Sequence, residues 1–216
     1  MEREKINYDM SEVIGTVIHV ALDKIYMGYI VISDEIKEDS KETIKMLKNM
    51  GIKKTVMLTG DNNRIGETIG YKLGLDEVYT QLLPDQKVEK LNEIINRKSS
   101  NRKMIFVGDG INDAPVLARA DIGIAMGGIG SDAAIEAADV VIMTDEPSKI
   151  VTAIKIAKRT KKIVSQNIVF ALGVKLVILV LGAVGIANMW EAVFGDVGVA
   201  LIAVLNSMRA MKVEKA

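Results

Sequence analysis

The sequence predicts an α/β fold with a doubly wound parallel sheet, followed by a hairpin of two transmembrane helices. From Gly15 onward, short apolar runs alternate with amphipathic stretches, a pattern typical of a parallel sheet covered by helices on both faces. Two long apolar stretches follow, and each has about the 20 residues that a helix needs to cross a bilayer. Charged residues lie almost entirely before residue 163, so composition also divides the chain into a polar part and a membrane-like part.

The first elements begin with two strands of a hairpin that turns at Asp23 and Lys24. A helix follows, which we expect Ser40 to cap and Gly51 to end. Up to residue 80, the predicted strands are GTVIHVAL, YMGYIVIS, KTVMLTGD and EVYT. The predicted helices are SKETIKMLKNMG, between the second and third strands, and residues 64–73, between the third and fourth.

The second group of elements repeats the alternation of helix and strand. Pro84 suits the first turn of the helix that it precedes. The predicted helices are residues 85–96, residues 114–120 and SDAAIEAA. Each is followed by a predicted strand: KMIFVGDG, DIGIAM and VVIM, respectively. In such a fold, ligands bind at the carboxyl ends of the strands.

Composition excludes several kinds of site. The 28 basic and 28 acidic residues balance, so there is no electrostatic reason to expect a nucleic-acid partner. The chain has no cysteine, which excludes disulfides and thiolate metal ligands. Its single histidine, His19, lies in an apolar strand and is interpreted as structural rather than as a ligand.

Polar loops follow two of the predicted strands. Thr59, in the sequence LTGD, offers a hydroxyl and backbone N–H groups suited to phosphate, although an N-cap explains it equally well. Asp109 and Asp113, four residues apart in GDGINDAP, can converge on one Mg²⁺ ion. The alternative is a turn that is rich in Asp and Asn because these residues favour turns. Lys87 can reach a phosphate from the first turn of its helix, or it is an ordinary surface charge.

These motifs carry a family resemblance. TGD, then P-x-x-K, then GDGINDAP, followed by membrane helices, resemble the second half of the phosphorylation domain of a P-type ATPase, which has a haloacid-dehalogenase-like fold. The resemblance covers almost the whole chain, and it implies ATP and Mg²⁺ as cofactors. The site residues that it implies are Thr59, Gly60, Asp61, Lys87, Asp109, Asn112 and Asp113.

The resemblance also implies the chemistry of the site. Thr59 would bind the transferred phosphoryl group, and Lys87 would screen the charge of a phosphoaspartate. Asp109 would ligate Mg²⁺ with Asp113, while Asn112 and Asp113 would hold the metal–phosphate geometry. The reaction is in-line transfer from ATP to an aspartate, which positioning and charge neutralisation catalyse.

The sequence departs from the family pattern at the nucleophile. The family carries it in a DKTGT motif after the first strand of the sheet, and no DKTG occurs here; the segment from Asp23 to Tyr26 is not that motif. We therefore expect part of a longer pump that is inactive alone. The predicted divisions are 1–33 (end of a nucleotide-binding domain), 34–148 (second half of the phosphorylation domain), 149–162 (connecting helix), 163–187 and 191–212 (membrane helices).

Each predicted membrane helix carries an ionisable residue, Lys175 in the first and Asp196 near the start of the second. Ionisable groups at bilayer depth are costly and indicate function, and these two can pair. They resemble the last membrane helices of exporters of zinc, cadmium and lead, in which the aspartate would bind the transported ion and the lysine would be its counter-charge. Basic residues flank both spans, which predicts a multi-pass protein of the cell membrane with the α/β domain and the C-terminus in the cytoplasm.

The sequence is also compatible with two other functions and with one other arrangement of the apolar stretches. The chain could be a membrane-tethered haloacid-dehalogenase-like phosphatase, or a non-catalytic membrane-anchored fragment that pairs with another polypeptide. The apolar pair could also be a buried hairpin of a soluble protein. The main hypothesis requires the missing N-terminal part of the pump and the lipid bilayer as partners.

Overall fold

The computed structural model describes residues 16–32, 35–108, 111–127, 132–186 and 188–211. The chain divides into two compact units, Met1–Pro147 and Ser148–Ala216. The first unit holds all the strands and the second holds two long helices. The predicted change of character after Pro147 therefore coincides with a boundary between units.

The first unit begins with an antiparallel hairpin of β1 (Thr16–Leu22) and β2 (Ile25–Ile32). The turn residues Asp23 and Lys24 have φ of 46° and 67°, and positive φ at both central residues is the geometry of a tight hairpin turn. The predicted hairpin is confirmed. Its aliphatic side chains are largely exposed: Ile18, Leu22, Ile25, Met27, Ile30 and Ile32.

Helices and strands then alternate as the sequence predicts. The elements are α1 (Ser40–Asn49), β3 (Val56–Leu58), α2 (Asn63–Leu73), β4 (Glu77–Tyr79), α3 (Pro84–Arg97), β5 (Ile105–Gly108), α4 (Ala114–Arg119), β6 (Ile122–Met126), α5 (Asp132–Ala137) and β7 (Val140–Ile142). All pairings among β3 to β7 are parallel. The α/β fold class is confirmed.

The parallel strands form two sheets rather than one. β3 pairs with β4, and β5, β6 and β7 form a second sheet in that order. Over the part of the chain that the structure describes, no strand pairs with the second edge of β3 or of β5. β3 and β5 are therefore edge strands of their sheets, as are β4 and β7, over the part of the chain that the structure describes.

The core of this unit lies around the short helix α4. Val116 and Leu117 are 0% and 1% exposed, and Leu117 packs with Ala125 of β6 and Ala134 of α5. Leu91 of α3 is also buried. Helix α4 begins directly after the 3₁₀ turn Ile111–Asp113, so this packing anchors the residue that follows Asp113.

Aspartates brace the amino ends of the strands. Asp76, Asp121 and Asp139 directly precede β4, β6 and β7. Their carboxylates accept hydrogen bonds from the backbone N–H groups of Thr55 (2.7 Å), Met104 (2.8 Å) and Gly123 (2.9 Å), respectively. Each bond joins the start of one strand to the start of its neighbour or to the residue just before it.

Two of these carboxyls have strongly lowered pKa values. Hydrogen bonds from Lys48 and Thr55 lower the pKa of Asp76 from 3.8 to about 2. The Met104 N–H and the Lys98 ammonium lower the pKa of Asp121 to about 2. Both carboxylates are therefore ionised in the folded protein at neutral pH.

The expected cap of α1 is wrong. Asp39 occupies the N-cap position and makes no side-chain capping bond, while Ser40 is the first helical residue. Serine is a preferred N-cap residue, but the cap position falls one residue before Ser40. The helix begins with Thr43 N donating to Asp39 O at 2.9 Å.

The second unit consists of α6 (Ser148–Ala183) and α7 (Met189–Ser207), followed by a 3₁₀ turn, Met208–Met211. Both helices are long and apolar enough to cross a membrane. Helix α6 ends before residue 187 because Gly185 adopts a φ of +80°, which ordinary residues avoid. Asn188 caps α7 by accepting from Trp190 N at 2.9 Å. Residues 189 and 190, which lie outside the predicted membrane helices, therefore belong to the first turn of α7.

Candidate functional site

The loop after β5 and the first turn of α3 meet through an ion pair. Lys87 Nζ donates to Asp113 Oδ1 at 2.8 Å, and the side chains are only 17% and 14% exposed. Pro84 begins α3 and Asp113 precedes α4, so each partner is fixed by the start of a helix. The structure brings together these two residues of the expected phosphate site.

Gly108, the last residue of β5, lies beneath the Asp113 side chain. A Cβ atom at position 108 would lie 2.8 Å from Asp113 Cβ and 3.0 Å from Asp113 Oδ2. Real side chains do not approach so closely, so Asp113 needs a glycine at this place. The first glycine of GDGINDAP therefore has a steric role in the site.

The loop after β3 is held by hydrogen bonds of its own. Thr59 Oγ1 donates to Asp61 Oδ2 at 2.6 Å and accepts from Asp61 N at 3.1 Å. The loop after β4 braces it, because Leu82 N donates to Thr59 O at 3.0 Å and Gln81 N donates to Asp61 O at 2.8 Å. The structure thus pairs Thr59 with Asp61 on a fixed loop, where Gly60 lies exposed between them.

The N-cap interpretation of Thr59 is wrong. Asn62 caps α2, and its side chain accepts from Ile65 N at 2.9 Å. The Thr59 hydroxyl is three residues before that cap and bonds only within its own loop in the contacts described here. Thr59 therefore does not cap α2.

Other expected site residues are less defined. Asn112 lies exposed in a 3₁₀ turn, Ile111–Asp113. Asp109 and Gly110 lie outside the described residues. Among the hydrogen bonds of the described residues, none joins the Thr59 loop to the Lys87–Asp113 pair.

The donor set suits a magnesium ion shared with phosphate. In the described ranges, no group of three or more His, Cys, Asp or Glu side chains could hold a metal alone. Mg²⁺ in phosphoryl-transfer sites is held by one or two carboxylates together with substrate phosphates. Asp113 is a carboxylate of this kind; it packs over the glycine at position 108 and pairs with Lys87.

The second unit contains an ion pair between its two helices. Lys175 Nζ of α6 lies 2.9 Å from Asp196 Oδ1 of α7, as the sequence analysis expects. The two side chains are 60% and 70% exposed. Next to Asp196, a Cβ on Gly195 would overlap Ile178 Cδ1, so the helices approach closely beside the pair.

A polar network joins the same helices closer to the end of α7. Asn206 Nδ2 donates to Asn167 Oδ1 at 2.7 Å. Asn167 Nδ2 donates to Ala203 O at 3.2 Å and to Ser207 Oγ at 3.0 Å. This network was not predicted from the sequence. The available signal is that amide and hydroxyl residues interrupt an apolar run.

Comparison with known proteins agrees with this architecture. A family model described as haloacid dehalogenase-like hydrolase matches residues 3–121. The cadmium, zinc and cobalt-transporting ATPase of Bacillus subtilis (strain 168) is 60% identical over 99% of this chain and 30% of its own length. The zinc-transporting ATPase of Synechocystis sp. is 56% identical over 98% of this chain and 29% of its own length.

A solved structure supports the same relationship. The crystal structure of a zinc-transporting PIB-type ATPase in the E2.Pi state matches 91% of this chain with a TM-score of 0.80 and 36% identity. The match covers 31% of that structure. This chain thus spans about 30% of the length of these relatives. It belongs to the haloacid dehalogenase-like hydrolases, and over nearly its whole length it is similar to a part of the metal-transporting P-type ATPases.

Proposed function

We propose that the chain is part of an ATP-driven pump that exports divalent heavy-metal ions and works through an aspartyl phosphate. The Lys175–Asp196 ion pair carries the proposal. It lies in two apolar helices of a chain whose other unit presents a phosphate-type site. Charged side chains at bilayer depth mark ion pathways.

In the proposed reaction, the residues of the α/β unit position and neutralise phosphate. Thr59, with Gly60 and Asp61, binds the phosphoryl group through the fixed loop after β3. Lys87 contributes positive charge at a half-buried position, where charge neutralisation is strong because water is partly excluded.

The remaining residues of this unit hold the metal and its surroundings. Asp109 and Asp113 would hold Mg²⁺, and Asn112 would support their geometry. The ion would neutralise the phosphate charge of bound ATP.

The missing nucleophile has a place in this architecture. Both β3 and β5 have an edge without a strand partner in the described residues, and their carboxyl ends lead into the two phosphate loops. A parallel strand inserted between them would bring an aspartate at its end between Thr59 and Asp113. We propose that an earlier part of the pump supplies this strand, and that the chain alone does not turn over ATP.

Further helices are needed to cover the ion pair. Lys175 and Asp196 are more than half exposed on the helix pair, and lipid does not solvate charge. We propose that other membrane helices of the pump surround the pair, with Asp196 as a ligand of the transported ion and Lys175 as its counter-charge. Carboxylate oxygen suits borderline divalent ions such as Zn²⁺.

We propose that the pump is a multi-pass protein of the cell membrane. Helix α6 carries five basic residues just before its apolar part: Lys155, Lys158, Arg159, Lys161 and Lys162. Arg209 follows α7. Basic residues remain in the cytoplasm, so this distribution supports a cytoplasmic α/β unit and C-terminus. The relatives are named for cadmium, zinc and cobalt; transport of lead stays a prediction from the resemblance.

The test uses a complete pump in which the missing part is joined to this chain. We expect ATPase activity that Zn²⁺ or Cd²⁺ stimulates, and loss of this stimulation in Asp196→Ala. Glu191→Ala is the matched control, because Glu191 is a carboxylate of the same helix that only caps the α7 terminus. Stimulation that survives Asp196→Ala would remove the ligand role. Asp109→Asn should prevent phosphoenzyme formation from ATP, and normal labelling would contradict its place in the Mg²⁺ site.

A further inference from the structure

The network around Asn167 links both membrane helices at one level. Asn167 donates two hydrogen bonds to α7 and accepts one from it. Arg209 donates to the same Asn206 amide oxygen, at 2.8 Å from Nη1. Ser207 Oγ donates to Ala203 O at 2.8 Å. The network therefore uses both polar ends of each amide side chain.

The hydrogen bonds of Asn167 and Asn206 favour one axial position of α6 along α7, whereas the apolar contacts between the two helices do not. Apolar side chains gain little from packing against each other rather than against lipid, whereas interhelical hydrogen bonds favour one arrangement. Glycine at positions 173, 182 and 198 faces open space, and the close approach of Gly195 to Ile178 is an apolar contact without hydrogen bonds. A shift of one helical turn, about 5.4 Å, would break all the bonds between Asn167 and α7.

The same shift would separate the ion pair. Asn167 precedes Lys175 by eight residues, or about 12 Å of helix, and Asp196 precedes Asn206 by ten residues, or about 15 Å. The helices are antiparallel because a short turn joins them, so the two contacts lie at different depths of one hairpin. A rigid helix transmits the register from one level to the other.

We propose that Asn167 and Asn206 are positioning residues that lock the axial register of α6 against α7 and thereby hold Lys175 beside Asp196. Only the consequence for metal binding rests on the proposed function. The lock itself is a property of the hairpin.

The absence of native cysteine allows a direct test on the purified full chain. Ile178→Cys is combined with Gly195→Cys, its contact in the native register, or with Ala192→Cys or Gly198→Cys, which lie about 4.5 Å to either side along α7. Disulfide formation is measured for each pair in lipid vesicles. With both asparagines intact, we expect the 178–195 pair to form at least about fivefold faster than either shifted pair, the preference that interhelical hydrogen bonds of this kind provide.

Asn167→Leu and Asn206→Leu should each remove most of this preference. Gln166→Leu is the matched control, because it removes an exposed amide from the adjacent position of α6. Circular dichroism checks that each variant is helical. If the Asn167→Leu variant does not insert into vesicles, Asn167→Asp is used in its place. Aspartate keeps the oxygen that accepts from Asn206 but cannot donate to Ala203 and Ser207. An unchanged preference in the folded asparagine variants would overturn the lock.

A second readout separates positioning from mere stabilisation. In the complete pump, Asn167→Leu should raise the half-saturating Zn²⁺ concentration about fivefold or more and leave the maximal ATPase rate unchanged. A lower maximal rate with unchanged half-saturation would assign Asn167 a purely stabilising role and overturn the proposal. If Asp196→Ala leaves metal stimulation intact, the proposed transport site fails, while the disulfide result still decides the lock.

Discussion

Lys87 and Asp113 lie 2.8 Å apart although 26 residues separate them in the chain. One belongs to the first turn of α3 and the other precedes α4. The contact forms because two helix starts converge at the end of β5. This ion pair therefore forms only when the start of α3 and the residues before α4 are both in place.

Removing this contact should affect both catalysis and stability. In the complete pump, we expect Lys87→Met to lower the metal-stimulated ATPase rate about 10²–10³-fold, since it removes the charge that we propose neutralises phosphate. In the isolated chain, it should lower the free energy of unfolding by about 2 kcal/mol, because Asp113 loses a charged hydrogen bond. Lys72→Met is the control: Lys72 is an exposed lysine of α2, and the variant should retain both properties.

Gly108→Ala tests the steric role of this glycine. The new Cβ would lie 2.8 Å from Asp113 Cβ, so Asp113 must shift and its ion pair with Lys87 is disturbed. We expect a loss of about 1–3 kcal/mol in unfolding free energy, as for other overpacked sites, and a large loss of activity in the complete pump. Gly51→Ala is a poor control because Gly51 has positive φ, whereas Gly173→Ala adds a methyl group in open space. Equal stability of Gly108→Ala and Gly173→Ala would contradict the close approach.

Stability should depend on pH in the acid range. The pKa values of Asp76 and Asp121 are lowered from 3.8 to about 2 in the folded protein. The unfolded chain therefore binds these protons first as pH falls, so the folded state loses stability between about pH 4 and pH 2. Denaturant titrations at a series of pH values measure this loss. Asp121→Asn should flatten the curve in this window, and Glu35→Gln, an exposed carboxyl elsewhere, should not.

The Lys175–Asp196 pair should show an asymmetry between single and double substitutions. Lys175→Met leaves Asp196 without its partner, and an unpaired charge in an apolar setting is strongly unfavourable. The double variant Lys175→Met/Asp196→Leu removes both charges. We expect it to be recovered from membranes in larger folded amounts than Lys175→Met, while metal stimulation stays absent in the complete pump. Equal yields of the single and double variants would show that the pair is not coupled.

The order of elements in the α/β unit could be predicted because local patterns determine it. Alternating apolar residues predict the hairpin β1–β2, and Pro84 marks the start of α3. The Lys87–Asp113 contact is different, since no spacing rule joins residues of two separate helices. The resemblance to a known family implied that both residues belong to one phosphate site, but it did not predict that they contact each other.

Other features had no usable signal in the sequence. An aspartate before a strand, such as Asp121, cannot be distinguished by sequence from an ordinary turn residue. Its partner is the backbone N–H of Met104, a group that every residue except proline has. The end of α6 was placed too late because residues 184–187 remain apolar, while the backbone already turns at Gly185. Asn206 is conspicuous in an apolar helix, but only the register of the hairpin reveals Asn167 as its partner.

The hairpin β1–β2 has a consequence for handling the protein. Its aliphatic side chains contact water on a two-stranded ribbon, and such a ribbon is of marginal stability on its own. Contiguous exposed apolar surface promotes association between molecules. In detergent micelles that cover α6 and α7, light scattering should therefore detect reversible clusters that grow with protein concentration and with sulfate, and a charged substitution at Ile30 should disperse them.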